Sequence, residues 1–217
     1  MKILIIAPHP DDEVLGCGGT IKKCSQRGDE IILCIVTKAY LPDWTQDFID
    51  GRPREIEKSN AILGISGTRF LNFPSVMLDT IPQKELNASI SKVINGVKPE
   101  IIYVPNGGDL NKDHRLIFEA SLVAARPGEN RIKKILCYEC PSETEWGQPI
   151  KPFVPNVYSD ITGFLNEKLE AMKAYKSELK NYPHPRSLET IEALAKKRGS
   201  EAGFEAAESF ALIREIL

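Results

Sequence analysis

The stretch KILIIAPHPDDEVLGCGGT, residues 2–20, decides how the rest of the chain is read. Its first segment, Lys2–Ala7, is apolar at successive positions, the pattern of a strand covered on both faces in a parallel sheet. A helix is expected from Glu13 to Arg27. Between the two stand His9, Asp11 and Asp12. Charge is therefore concentrated at the carboxyl end of a buried strand, where open parallel sheets collect ligands. The competing reading is a polar turn in which Asp11 and Asp12 cap the helix.

Outward from this stretch the alternation continues. Strands are expected at 30–37, 68–73, 99–105 and 133–139, and helices at 52–65, 83–97 and 114–126. Pro53 suits a first helical turn, and Gly64 lies near that helix's end. The tail reads as helices at 163–177 and 188–199, with a last element at 206–216. Apolar strands separated by helices predict an α/β fold, Rossmann-like and doubly wound, with a mostly parallel sheet and helices on both faces. The proline-rich stretch 141–156 reads as a long loop near the active site. The whole chain, 1–217, is expected to form a single domain.

Bulk composition narrows the function classes. Among 217 residues the net charge is -2, so no basic excess is available to neutralise phosphates and nucleic acid is not an expected partner. No apolar stretch approaches bilayer length, and the N-terminal apolar run is too short for a signal-peptide core. A cytoplasmic location follows as an expectation, and homo-oligomerisation is left open. The chain holds 5 cysteines, an odd count that argues for reduced thiols. Cys137 and Cys140 match C-x-x-C, but on a strand residues three apart face opposite sides, so chance explains the match better than a redox or zinc pair. Gly16, Gly18 and Gly19 lie inside the first helix and lack the dinucleotide spacing; close packing is their expected reason.

The chain has only 3 histidines. His114 follows NGGDLNKD, 106–113, just beyond the expected strand 99–105, at the same sheet edge as His9. His9, Asp12 and His114 thus make a candidate trio of metal ligands with positions left for water or substrate, the arrangement of a catalytic zinc. Asp109 and Asp113 can also be read as helix caps.

At these residues the sequence resembles the LmbE-like or PIG-L-like zinc-dependent de-N-acetylases. His9-Pro10-Asp11-Asp12-Glu13 matches their first motif, Asn111-Lys112-Asp113-His114 stands at the second, and HPRS, 184–187, together with the tail beyond it, is similar to family sequence. The resemblance implies Zn2+ held by His9, Asp12 and His114, Asp11 as general base, and a small N-acetylated sugar or glycoconjugate, commonly N-acetylglucosamine-type, as substrate. The departure is Asn111, where the second motif usually begins with histidine. Asparagine donates hydrogen bonds but cannot deliver a proton at neutral pH. Asp11 is then expected to serve as both base and acid, with His184 as a helper. Asp113 either orients a metal-bound histidine or caps a helix. Arg54 and Arg186 are candidates for substrate contact or for surface ion pairs. Trp44 and Trp146 can stack on a sugar or anchor loops. Two further readings stay open: a non-haem iron enzyme using the same ligands, and an impaired sugar-binding homologue.

Overall fold

The computed structural model describes residues 1–128 and 131–217. Seven strands, β1 (Lys2–Ala7), β2 (Glu30–Lys38), β3 (Gly67–Pro74), β4 (Ile101–Pro105), β5 (Lys134–Tyr138), β6 (Val157–Asp160) and β7 (Ala207–Glu215), form one sheet in the order β3-β2-β1-β4-β5-β7-β6. The first five are mutually parallel; β7 runs antiparallel to both β5 and β6. Among the described residues six α-helices accompany them: α1 (Asp12–Gln26), α2 (Gln46–Leu63), α3 (Gln83–Val97), α4 (Lys112–Ala124), α5 (Leu165–Ala174) and α6 (Leu188–Ala202). This is the expected α/β architecture. No helix among the described residues is long and apolar enough to cross a membrane.

Alternation along β1 sorts the core into two layers. Ile3 and Ile5 pack with residues of α1, α2, α5 and α6, while Leu4 and Ile6 pack with residues of α3 and α4. The chain lays β2 and β3 on one side of β1 and then crosses back to place β4 on the other. Strand order therefore reverses between β1 and β4, and the crevice beyond their carboxyl ends is where such a sheet binds ligands. His9 follows β1, and the segment leading to His114 follows β4.

The glycines of α1 answer to packing. A Cβ on Gly16 would lie 2.2 Å from Tyr138 Cδ2, and one on Gly19 would lie 2.8 Å from Ile161. All five cysteines are free and buried, with Cys137 in one core layer and Cys140 in the other, so the C-x-x-C match is no pair.

One expectation is corrected, and one strand is added to those expected. The helix expected at 52–65 begins at Gln46, because Thr45 caps it by accepting from the Phe48 amide at 3.3 Å. Pro53 therefore stands inside α2 rather than in its first turn. The short strand β6 lies just after the loop 141–156; its four half-buried residues show too brief a pattern for period reasoning.

Candidate active site

The turn after β1 is held by its own side chains. Asp12 Oδ2 accepts the His9 amide at 2.8 Å, and the Asp11 carbonyl accepts from Val14 and Leu15 at 2.9 Å each. Asp11 occupies φ 119°, ψ -27°, a region that costs a non-glycine residue about 1–3 kcal/mol. What holds it there is Glu13, whose Oε2 accepts the Asp11 amide at 3.1 Å while its Oε1 accepts the buried Tyr175 hydroxyl at 2.6 Å. Residues from α5's end thus reach the turn.

Three donor groups converge. His9 Nδ1 lies 3.3 Å from Asp12 Oδ2, His114 Nε2 lies 3.4 Å from the same oxygen, and the two ring nitrogens are 3.3 Å apart. One donor atom from each of the three lies within 4.8 Å of the others, a group able to hold a metal ion. The far nitrogen of each ring meets a carboxylate: His9 Nε2 donates to Asp113 Oδ2 at 3.1 Å, and His114 Nδ1 donates to Asp109 Oδ2 at 2.9 Å. Asp109 also accepts from Thr144 Oγ1 at 2.7 Å and Asn106 Nδ2 at 3.0 Å. Such carboxylate–histidine pairs fix the ring so that its remaining nitrogen faces a metal.

Charge in this cluster favours a cation. Burial opposes a proton on His9, yet Asp113 and Asp12 outweigh it and lift the imidazole to about 9. Burial likewise favours neutral Asp12, but His114 and His9 hold its carboxyl well below the usual range. The donor set therefore fits a divalent ion: nitrogen and carboxylate ligands, a surplus of surrounding carboxylates, and rings already oriented.

Asp11 points elsewhere. Its Oδ2 accepts from Arg186 Nη1 at 3.4 Å, and burial, reinforced by the Asp12 charge and opposed by Arg186, pushes its carboxyl well up. Arg186 also donates to Ser142 Oγ at 2.9 Å and to Glu178 Oε2 at 2.9 Å. Glu178 accepts in turn from Arg52, whose guanidinium lies 4.2 Å over the Phe48 ring. His9, Asp11, Asn111, Arg52, Glu178 and Arg186 all line one cavity of about 430 Å3.

Asn111 is the N-cap of α4, its Oδ1 accepting the Asp113 amide at 3.0 Å. Asp113 consequently does not act as the cap; its carboxylate serves His9 and accepts the Val76 amide at 2.6 Å. Arg54 is exposed on α2 and outside the cavity lining; the helical turn directs Arg52 inward instead. His184 is exposed too, its Nδ1 accepting the Arg186 amide at 3.0 Å, so it braces Arg186 rather than lining the cavity. Trp44 lines the cavity, whereas Trp146 is 66% exposed away from it. Glu178, Arg52 and Asp109 escaped the sequence reading as site residues; only the i, i+4 spacing of Phe48, Arg52 and Ile56 hinted at a shared inward face.

Comparison with known proteins agrees with this geometry. A family profile described as GlcNAc-PI de-N-acetylase (PIG-L) matches residues 4–125. The deacetylase YaiS of Escherichia coli strain K12 is 33% identical over 184 residues, spanning 81% of this chain and 90% of that protein. A diacetylchitobiose deacetylase of Thermococcus kodakarensis is 29% identical over 190 residues, 82% of this chain and 70% of its own. Among solved structures, the N,N'-diacetylchitobiose deacetylase of Pyrococcus horikoshii has a TM-score of 0.79 at 23% identity, covering 98% of this chain and 83% of that one, a likeness of fold.

Proposed function

We propose, from the premise that this chain belongs to the PIG-L family of GlcNAc-PI de-N-acetylases, that it hydrolyses the N-acetyl group of an N-acetylglucosamine-type sugar or sugar conjugate. The whole chain, 1–217, acts as one domain, since the cavity draws residues from His9 to Arg186. His9, Asp12 and His114 would hold Zn2+, with Asp109 and Asp113 keeping the rings in place. When bound, such an ion supplies Lewis-acid chemistry, polarising an amide carbonyl and lowering the pKa of water from about 15.7 toward 7.

The remaining steps belong to the protein's own groups. Asp11 Oδ2 accepts a proton from the attacking water, and the same oxygen returns it to the departing amine. Arg186 lies against that oxygen and steadies the charge of the ionised state. Asn111 has its Oδ1 committed to the helix cap, which leaves Nδ2 to donate to the oxyanion. Arg52 and Arg186 present guanidinium donors to sugar hydroxyls, and Glu178 keeps both heads in place. Arg52 takes the substrate contact for which Arg54 was a candidate on guanidinium chemistry alone.

The observation that carries this reading is Asp11: a buried carboxylate beside the His-Asp-His trio, excluded from it, and facing the cavity. A mononuclear iron oxygenase would accept the same trio but has no use for that neighbouring carboxylate. An impaired binding protein would have no reason to keep it in a strained turn. The test is acetate release from a panel of N-acetylhexosamine derivatives. Zinc-loaded protein is expected to turn over at least one, chelation to abolish release, and added Zn2+ to restore it. Unchanged activity after complete demetallation would overturn the mechanism; no release from any compound would overturn the activity.

A further inference from the structure

The C-x-x-C match is no pair, yet its second cysteine has a partner of its own. Cys140 lies just beyond β5, fully buried, and its thiol donates to Asp12 Oδ1 at 3.0 Å. A second acceptor, the Pro141 carbonyl, is farther off at 3.8 Å. The two oxygens of Asp12 therefore keep different company. Oδ2 faces both histidine rings and accepts the His9 amide. Among the described residues, Oδ1 meets no hydrogen-bond donor but Cys140.

The turn that carries this thiol closes on itself and reaches a second carboxylate of the cluster. The Cys140 amide donates to Thr144 Oγ1 at 2.8 Å, and the Cys140 carbonyl accepts the Thr144 amide at 2.9 Å. Thr144 Oγ1 in turn donates to Asp109 Oδ1 at 2.7 Å, and Asp109 Oδ2 is the partner of His114. One turn thus meets two of the three candidate metal ligands, Asp12 directly and His114 through Asp109. Behind it, the Tyr138 hydroxyl donates to the Ile6 carbonyl at 2.9 Å, which ties the end of β5 to the end of β1. Cys140 and Thr144 are not among the residues lining the cavity, so both act from behind the site.

We propose that Cys140 and Thr144 form one positioning unit for the metal ligands, in which Cys140 withholds Oδ1 of Asp12 from the ion while Thr144 keeps Asp109 on the His114 ring. A free carboxylate can bind a cation through both oxygens. A second oxygen from Asp12 would take up the position that a catalytic ion keeps open for water or substrate. A thiol suits the task because it is a weak donor, and it occupies Oδ1 without drawing much charge from Oδ2. The inference rests on the metal-dependent deacetylase reading and adds two residues that shape its ligand set.

Co2+ alone is the probe, because its visible absorption reports how many ligands surround it. Cys140→Ala frees Oδ1, so the Co2+ bands should weaken and move to shorter wavelength as an oxygen ligand is added. With saturating Zn2+, the same variant should lose about tenfold in kcat for acetate release while KM changes less than twofold. Cys140→Val fills the space of the thiol without a donor and should behave like Cys140→Ala, which guards against a packing void as the cause. Cys140→Ser keeps a donor and should restore both readouts. Thr144→Val, of like shape, should weaken Zn2+ affinity about tenfold or more in competition with a chelator and leave the Co2+ bands in place. A merely structural role would lower the melting temperature and move neither the bands nor the affinity. Unchanged bands in Cys140→Ala and Cys140→Val, or unchanged affinity in Thr144→Val, would overturn the inference and leave the deacetylase reading intact. An intense near-ultraviolet thiolate-to-cobalt band in the wild-type protein would overturn it differently, by making Cys140 a ligand. Wild-type protein that takes up neither metal would overturn the metal reading itself.

Discussion

The cavity joins two unlike parts: an inner end at the turn of His9, Asp11 and Asp12, and an outer wall of Phe48, Ile49, Ile56 and Phe70 from α2 and β3. At the inner end, Asp11 and Asp12 are each 2% exposed and His114 is 1% exposed, and every carboxylate there has identified partners. Along the outer wall, Phe70 is 51% exposed, and Phe48, Ile49 and Ile56 carry no hydrogen-bonding side-chain group. A group that develops charge during a reaction must be met by dipoles already in place, since moving them costs part of the stabilisation. A group that only leaves water can be met by any apolar wall of suitable shape. Loss of a single group should therefore be felt far more at the inner end than along the wall.

The hardest test of that division is at the inner end. Asp12→Ala or His114→Ala should abolish both metal retention and acetate release, because two ligands do not hold a catalytic ion. Asp11→Asn should keep the metal and lose about 10²- to 10⁴-fold in kcat, the usual worth of a positioned proton carrier. Metal content by elemental analysis alongside acetate release separates the two outcomes. An active Asp11→Asn protein would break the comparison outright.

Next in size are the carboxylates behind the histidines. Asp109→Ala and Asp113→Ala should each weaken metal affinity about 10- to 100-fold. They should differ in a second respect. Asp109 serves His114, Thr144 and Asn106, all at the inner end. Asp113 serves His9 but also the Val76 and Leu78 amides, and Val76 lines the cavity with its backbone at φ 63°. Only the Asp113 variant should therefore raise KM as well. Equal KM values in both variants would mean that Asp113 does not position the cavity lining.

The inner end was far more legible in the sequence than the outer one, and the reason is physical. His9, Asp11 and Asp12 follow β1 directly and His114 lies in the first turn of α4, the helix after β4, so the apolar runs of β1 and β4 announce the sheet edge they share. The glycines of α1 could be read as packing because a helix interior disfavours them without a tight neighbour. The outer wall gives no such signal, since Phe48, Ile49, Ile56 and Phe70 look like ordinary core residues until tertiary structure leaves them facing a cavity. Residue chemistry alone could not tell Arg54, which is exposed outside the cavity lining, from Arg52, which lines it. With α2 starting at Gln46, the inward face passes through Phe48, Arg52 and Ile56 and misses position 54. Arg52→Ala should raise KM about tenfold, the worth of a charged hydrogen-bonding anchor, while Arg54→Ala should change it less than twofold. Michaelis constants for the preferred substrate decide between them, and a larger effect at Arg54 would return it to the site.

The smallest effect expected comes from the longest lever. Tyr175 never reaches the cavity, but its hydroxyl donates to Glu13, and Glu13 holds the amide of Asp11 in a backbone conformation the residue would otherwise leave. Tyr175→Phe keeps the buried ring and removes only that hydrogen bond, so the metal cluster should remain loaded. The bond is worth about 1 kcal/mol, and if half or more of it serves to hold Asp11 in place, kcat falls roughly two- to fivefold. KM should stay where it was, since Asp11 acts on the proton and the sugar is gripped by Arg52 and Arg186. A purely structural tyrosine would lower the melting temperature and leave kcat alone, and a variant that changed KM instead would place the C-terminal end of α5 in substrate binding rather than in positioning the base.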